Sequence, residues 1–273
     1  MDSFDIHLSQ HEISDFLEQI KIKNTEPCYD LLRNIVKNFI QYVPFQNISM
    51  LSEPRVRPSP SKIKSDMLSG LGGLCTVRNP FLYCLLKSMN FEVKFVSSTM
   101  NEPDCHISLI VDLDDPYWVD VGNGYPYFQP IKLGDESVVD NWFFSYKLRE
   151  EKNTFYVEHY SSSRKQWVIN HYFVNESVPY SKFDRMHLMH YTIPGWGPFL
   201  VGLRVNRFWE SGGIILRDDT ATTPNGKFIV DDIEKIHSLL GKWFEPEFLA
   251  KIDLEKAIKN LKINKEEMAE NEN

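Results

Sequence analysis

No run of roughly eighteen apolar residues occurs anywhere in the 273-residue chain, so no segment has the reach of a membrane-spanning helix. Cysteine is scarce, with only Cys28, Cys75, Cys84 and Cys105 present. Four cysteines in a chain this long do not make a disulfide framework. No two stand as CxxC, and no HExxH accompanies the histidine pairs His7/His11 and His187/His190, so a metal site finds little support. The phosphate-cradling GxxxxGK[ST] pattern is missing. Basic charge falls short: 30 Lys and Arg against 38 Asp and Glu give a net charge of −8. That balance argues against a nucleic-acid partner, which asks for a basic face, but leaves room for a small anionic ligand at a helix N-terminus. The opening MDSFDIHLSQHEISDF is acidic and lacks an apolar core, unlike a signal peptide. These absences predict a soluble protein of the reducing cytoplasm, where a free thiol survives.

What is present is hydrophobic (42%) and unusually aromatic (13%), enough for a sizeable core in two domains or one elaborate one. The first ninety residues read as helical. Ser9 stands as an N-cap with Glu12 in the capping-box position, followed by the apolar stripe Ile13, Phe16, Leu17 and Ile20. A second helix is predicted over Tyr29–Tyr42, ended by Pro44, and a third from Cys75 to Met89, while the proline-bearing stretch 52–65 reads as loop. From Glu92 to about residue 175 the pattern changes to short β-branched and aromatic runs: VKFVSSTM, HISLIVDL, YWVDVG, FFSYKLRE, TFYVEHY and QWVINHYFV. These predict an antiparallel barrel or twisted sheet. In the last hundred residues, KFDRMHLMHY, 231–240 and 245–262 read as helices, FLVGLRVNRF and GGIILRD as strands, and the charged tail NKEEMAENEN as frayed.

Three residues carry the chemistry. Cys75 stands where Gly70-Leu71-Gly72-Gly73-Leu74 feeds a helix. The partial positive charge and free N–H groups of a helix start favour thiolate and offer an oxyanion hole. His106 opens a strand and supplies an imidazole base suited to neutral pH. Asp120 ends the next strand, across the turn DLDDPY, where a carboxylate can hold one imidazole tautomer. Singly, each has a plain structural reading: a core cysteine, a satisfied sheet histidine, a turn aspartate. Together, in this order, they form a Cys-His-acid arrangement that a protease, a transglutaminase or an acyltransferase would share. Cys84 reads as core. Cys105 points to the sheet face opposite His106.

These segments resemble the arylamine N-acetyltransferases over nearly the whole chain. The family's nucleophile segment, roughly RGGxCxExN, is similar to Leu71-Gly72-Gly73-Leu74-Cys75-Thr76-Val77-Arg78-Asn79; its PFEN to Pro44-Phe45-Gln46-Asn47; its VDVGFG to Val119-Asp120-Val121-Gly122-Asn123-Gly124. HYTIPGWGPFLVGLRV stands, more weakly, where the family has a segment with serine or threonine and phenylalanine. The resemblance implies an α+β fold with a cysteine-proteinase-like triad core. A helical bundle over 1–91 would carry the nucleophile, an antiparallel β-barrel over 92–185 the histidine and aspartate, and an α/β lid would follow over 186–273. It implies acetyl-CoA as donor, an aromatic amine or hydrazine as acceptor, ping-pong transfer through acetyl-Cys75, and no metal. It assigns Phe45, Met100 and Asn123 to the acceptor pocket and Gly124 to coenzyme A. Three departures stand out: Leu71 and Gln46 replace an arginine and a glutamate that pair in the family, and Asn123 replaces a phenylalanine. Losing both members of an ion pair leaves no orphaned charge, and the packing under Cys75 becomes apolar or amide-based. Asn123 makes the pocket more polar, which predicts poor turnover of simple arylamines. The alternatives are a thiol hydrolase or amide-forming enzyme using the same triad, and a catalytically weak relative serving as a binding protein.

Overall fold

The computed structural model describes residues 4–23 and 26–271. Ser9 caps α1 (Gln10–Gln19) with the full capping box: the Glu12 amide donates to Ser9 Oγ (3.3 Å) and the Ser9 amide to Glu12 Oε2 (2.8 Å). The helix buries Ile13, Phe16 and Leu17. α2 (Tyr29–Tyr42) turns Leu32, Ile35, Val36 and Phe39 into the same core. After Pro44 come the two-residue strand β1 (Phe45–Gln46) and the short α3 (Ile48–Ser52). The predicted loop over 52–65 is shorter than its prolines suggest. α4 (Pro60–Leu68) begins inside it, because Ser59 Oγ accepts from the Lys62 amide (3.2 Å) and Pro60 takes the first helical position, where its missing N–H costs nothing. α5 (Cys75–Ser88) is buried around nearly its whole circumference from Cys75 to Leu86, the state of a helix enclosed by other elements. Its neighbours are α4 on one side and two sheet strands on the other.

Those strands belong to an eight-stranded antiparallel sheet: β2 (Glu92–Thr99), β3 (His106–Asp112), β4 (Pro116–Val119), β5 (Ile131–Lys132), β6 (Val139–Asp140), β7 (Ser145–Glu151), β8 (Thr154–Ser161) and β9 (Gln166–Val174). Its order, β5-β4-β3-β2-β9-β8-β7-β6, leaves two ends unjoined, so the barrel is a curled half-barrel. Trp118, Tyr127, Tyr146 and Phe173 fill its hollow. β5 and β6, at two residues each, are too short for alternation to register in the sequence.

A 3₁₀ turn (Tyr180–Phe183) leads into α6 (Asp184–Thr192). A second antiparallel sheet follows, ordered β1-β10-β11-β12-β13, from β10 (Arg204–Trp209), β11 (Gly212–Arg217), β12 (Thr220–Thr223) and β13 (Gly226–Ile229). Phe45 of β1 pairs with Asn206 and Gln46 with Val205, so the segment on which the nucleophile loop docks is an edge strand of the C-terminal sheet. The predicted strand FLVGLRVNRF starts only at Arg204. The Asn47 side chain takes up the carbonyls of Phe199 (2.6 Å) and Gly202 (2.7 Å) and holds that stretch as loop. After α7 (Ile233–Trp243), the helix expected over 245–262 is two: α8 (Pro246–Leu249) and α9 (Leu254–Asn271). Asp253 accepts from the Lys256 amide (2.9 Å) and restarts the chain as a new helix. Through Asn271 the tail does not fray as its composition suggests, and its last two residues lie outside the described ones. α9 reaches Asn271, pinned by Arg55 to Glu267 (2.6 Å) and by Asn264 to the Leu200 carbonyl (2.8 Å). No helix among the described residues is long and apolar enough to cross a membrane.

Ser9→Ala removes the reciprocal cap of α1 and is expected to lower the unfolding free energy by about 1 kcal/mol. Urea denaturation checks this; an unchanged midpoint would mean that tertiary packing alone holds the helix start.

Candidate active site

Cys75 is the first residue of α5. The loop before it docks on the chain at β1: the Gly73 amide donates to the Pro44 carbonyl (3.3 Å) and the Gln46 amide to the Gly73 carbonyl (3.3 Å). Gly72, with φ of +75°, lies so near this segment that a Cβ would stand 2.0 Å from the Pro44 oxygen, so glycine is obligatory there. Gln46 is fully buried beneath the loop. Its Nε2 donates to Ser49 Oγ (2.8 Å) and the Leu71 carbonyl (3.3 Å), and its Oε1 accepts from the Ser49 amide (3.1 Å). A side-chain amide thus holds the loop by hydrogen bonds alone, with no charge to desolvate.

The β3–β4 hairpin brings His106 and Asp120 together. Leu109 pairs with Val119. Continued one step, that register sets Asp120 opposite Ser108, diagonal to His106 on the same face. His106 Nε2 lies 2.6 Å from Asp120 Oδ2, both side chains being almost wholly buried. The carboxylate's other oxygen accepts from Asn79 Nδ2 (2.9 Å) and from the Gly122 amide (2.8 Å). Burial works against the charged imidazole, but Asp120's charge and hydrogen bond, then the hydrogen bond and charge of Cys75, outweigh it and hold His106 well above its ordinary value. Burial likewise opposes the carboxylate, and the His106 cation leads the interactions that bring Asp120 below the usual range. With Nε2 given to Asp120, Nδ1 is the ring nitrogen left for the sulfur. Thiol, imidazole and carboxylate therefore stand in interacting order, an arrangement that can deprotonate a sulfur and stabilise the resulting cation.

The other expected site residues take varied places. Phe45 is buried against Leu74, Met50, Tyr191 and Leu200, with Phe199 beside it (ring centroids 6.3 Å apart). Gly124, with φ of +83°, lies flat on Phe45, where a Cβ would come within 3.0 Å of the ring, and its carbonyl accepts from Asn206 Nδ2 (2.8 Å). Met100 follows β2, its amide donating to Cys105 Sγ (3.4 Å). Asn123 turns its amide into the half-barrel, to Asn170 Oδ1 (3.1 Å) and toward His171 Nδ1 (3.4 Å). Of the histidine pairs, His187 spends one nitrogen on the Phe183 carbonyl (2.8 Å) and meets the Tyr180 hydroxyl with the other (3.2 Å).

Several residues at the site were not singled out from the sequence. Asn79, one turn beyond Cys75 on the same helix face, ties α5 to the acid and also donates to the Ile107 carbonyl (2.6 Å); its spacing from the cysteine was the available signal. Gly122 passes so close to the nucleophile that a Cβ would lie 2.6 Å from the Cys75 Cα. His171 is wholly buried, its ring 5.3 Å from that of His106, and burial pushes it down to about 3, so it stays neutral. His106, Asp120 and His171 offer three metal-ligand atoms within 4.8 Å of one another, but the His106–Asp120 hydrogen bond already engages two of them. Nothing in the sequence pairs β9 with this hairpin.

A half-barrel that sets imidazole and acid beside a cysteine at a helix start is an arrangement that thiol-dependent enzymes share. Comparison narrows it. Residues 29–246 match the family described as N-acetyltransferase; the chain belongs to this family, of the arylamine N-acetyltransferase type. A pineal gland isozyme of arylamine N-acetyltransferase from Gallus gallus is 27% identical over 168 residues, which cover 57% of this chain and 56% of that protein. The chain thus spans about half the length of that curated relative. The fold is shared with the arylamine N-acetyltransferase of Mycobacterium marinum in complex with CoA (TM-score 0.79, 20% identity, 91% of this chain and 98% of that one). It is shared too with a Bacillus cereus arylamine N-acetyltransferase described as having a Cys-His-Glu triad (TM-score 0.71, 23% identity, 86% and 98%).

Gly122→Ala is expected to cost about 1–3 kcal/mol of stability, since the added methyl meets the Cys75 backbone and the Asn79 amide, which two hydrogen bonds hold in place. Thermal and urea unfolding read the loss; a variant as stable as wild type would mean the loop has slack. Folding raises the proton affinity of His106. The stabilisation this brings is complete below the ordinary histidine value of 6.5 and is lost as pH rises through the folded value. The gap in unfolding free energy between wild type and His106→Gln should therefore be widest in mildly acidic buffer and narrow toward alkaline pH. A gap that grows with pH would contradict the coupling.

Proposed function

We propose that the protein transfers an acetyl group from acetyl-CoA to an aromatic amine or hydrazine by a ping-pong route, with Cys75, His106 and Asp120 as catalytic triad. The observation that carries this reading is the buried 2.6 Å His106–Asp120 bond beside a cysteine at the first position of α5. The Cys75 thiolate attacks the acetyl carbonyl, a new carbon–sulfur bond forms, and the bond to coenzyme A breaks. His106, protonated by the thiol, returns that proton to the leaving sulfur. The amine nitrogen then attacks the thioester, His106 takes its proton, and the Cys75 sulfur departs as the amide forms. Asp120 keeps Nε2 protonated and supports the imidazolium. The free N–H groups at the start of α5 face the developing oxyanion. Phe45, Met100 and Asn123 are our candidates for the acceptor wall and Gly124 for coenzyme A. The three-part division at residues 91 and 185 is our working domain scheme. Free cysteines at 28, 75, 84 and 105 suit the cytoplasm.

Incubation with acetyl-CoA, without acceptor, should add about 42 Da, the mass of one acetyl group, to the intact protein. The adduct should vanish in Cys75→Ala and be discharged by an arylamine. No adduct on the wild-type protein, or one that persists in Cys75→Ala, would end the proposal. Asp120→Asn should fold yet acetylate roughly 10³–10⁴-fold more slowly, as loss of the orienting acid does in other triads.

A further inference from the structure

Arg78 is buried to 98% on the face of α5 that bears Cys75 and Asn79, one turn from the nucleophile, with 2% of its surface exposed. Its bonded partners are both carbonyls: Nε donates to Val121, the residue after Asp120, and Nη1 to Val43, just before Pro44 and Phe45. The guanidinium also lies over the Phe39 ring, 5.1 Å from its centroid. The other buried arginine among the described residues, Arg207, has a carboxylate partner in Glu245. Arg78 is instead neutralised at longer range, by the charge of Asp120. Burial pushes it down to about 9, still cationic at neutral pH. Sealing a guanidinium away from water is expensive, and an apolar side chain would fill this helix position without that cost. The segment beneath Cys75 holds no ion pair, because Leu71 and Gln46 stand there. Arg78 is a fixed and buried positive charge one helical turn from Cys75.

We propose that Arg78 is a positioning residue of the acetyl-transfer site, whose buried cation faces the Asp120 carboxylate while its fork ties the acid's loop and the Phe45 strand to the nucleophile's helix. This rests on the triad reading above and adds a fourth residue to it. Removing the cation makes the Asp120 carboxylate, which supports the His106 cation beside the sulfur, harder to keep ionised. The acidic limb of the pH dependence of Cys75 reactivity must then move to higher pH, which lost packing alone would not do. The titratable groups that act on Asp120 are His106, His171 and Tyr127 from the half-barrel, and those that act on Cys75 are His106 and, from the segment after the half-barrel, Tyr180 and Tyr191.

The test is the rate of iodoacetamide alkylation of Cys75, followed by peptide mass from about pH 4 to pH 10, a span bracketing carboxylate, imidazole and thiol titrations. Wild type is compared with Arg78→Met, Arg78→Gln and Arg78→Lys. In the two neutral variants the acidic limb should rise by roughly half a unit to one unit, the size of a unit charge acting across a protein interior. Arg78→Lys, which keeps the charge but not the fork, should return the limb to its wild-type position even if its thermal midpoint falls. A limb that stays put in either folded neutral variant, or moves as far in Arg78→Lys, overturns the proposal. If Arg78→Met does not fold, Arg78→Gln, which keeps a donor for one carbonyl, carries the comparison. Failure of the triad reading looks different: wild-type Cys75 would then alkylate no faster than the exposed Cys28.

Discussion

The buried carboxylate of Asp120 is the constraint around which this molecule is organised. A lone carboxylate removed from water would take up a proton. This one is kept ionised by three donors from three places: His106 on the neighbouring strand, Asn79 on α5, and the Gly122 amide of its own loop. Each donor locates an element. Asn79 fixes the depth at which α5 enters the sheet, and with it the position of Cys75. The hairpin sets His106 diagonal to the acid. The Gly122 bond curls the loop back over the nucleophile. The charge balance of the site and the docking of helix on half-barrel are therefore one interaction seen from two sides.

Close approach is the second constraint, and glycine meets it. The loop before Cys75 and the loop after Asp120 both press against backbone, at the Pro44 carbonyl for Gly72 and at the Cys75 Cα for Gly122. Phe45 joins the arrangement from a third direction. Its short strand is an edge of the C-terminal sheet, its ring lies under Gly124, and the Gly73 and Pro44 backbones bond beside it. The C-terminal sheet thus helps to hold the nucleophile loop.

Local signals in the sequence carried the regular elements well. The capping box at Ser9, the apolar period over Tyr29–Tyr42 and the alternation of β2, β3, β4 and β7 to β9 all depend on neighbours within a few residues. The signals failed where distant partners decide. Composition argued for a frayed tail, but Arg55 and Leu200 hold α9 down. Apolar content argued for a strand from Phe199, but Asn47 captures the carbonyls that a strand would have used. Prolines at 54, 58 and 60 argued for one long loop, but Pro60 sits where a helix tolerates it.

At the site the same division applies. The sequence by itself determined which chemistry was available: one cysteine at a glycine-led helix start, a histidine and an aspartate on the two arms of a hairpin, and the family to which those motifs point. A helix start and a hairpin register are short-range facts, so they can be read from the chain. Only the tertiary structure decided that Asn79 and Gly122 complete the carboxylate's hydrogen bonds, that Asn123 turns into the half-barrel toward β9, that neutral His171 lies behind the pair, and that Arg78 is a buried cation bonded to two carbonyls. Apart from the Gly122 bond, which spans two residues, each of these depends on residues 35 or more positions apart. Burial, which sets both the cost of a charge and the worth of a hydrogen bond, is a property of the packed chain.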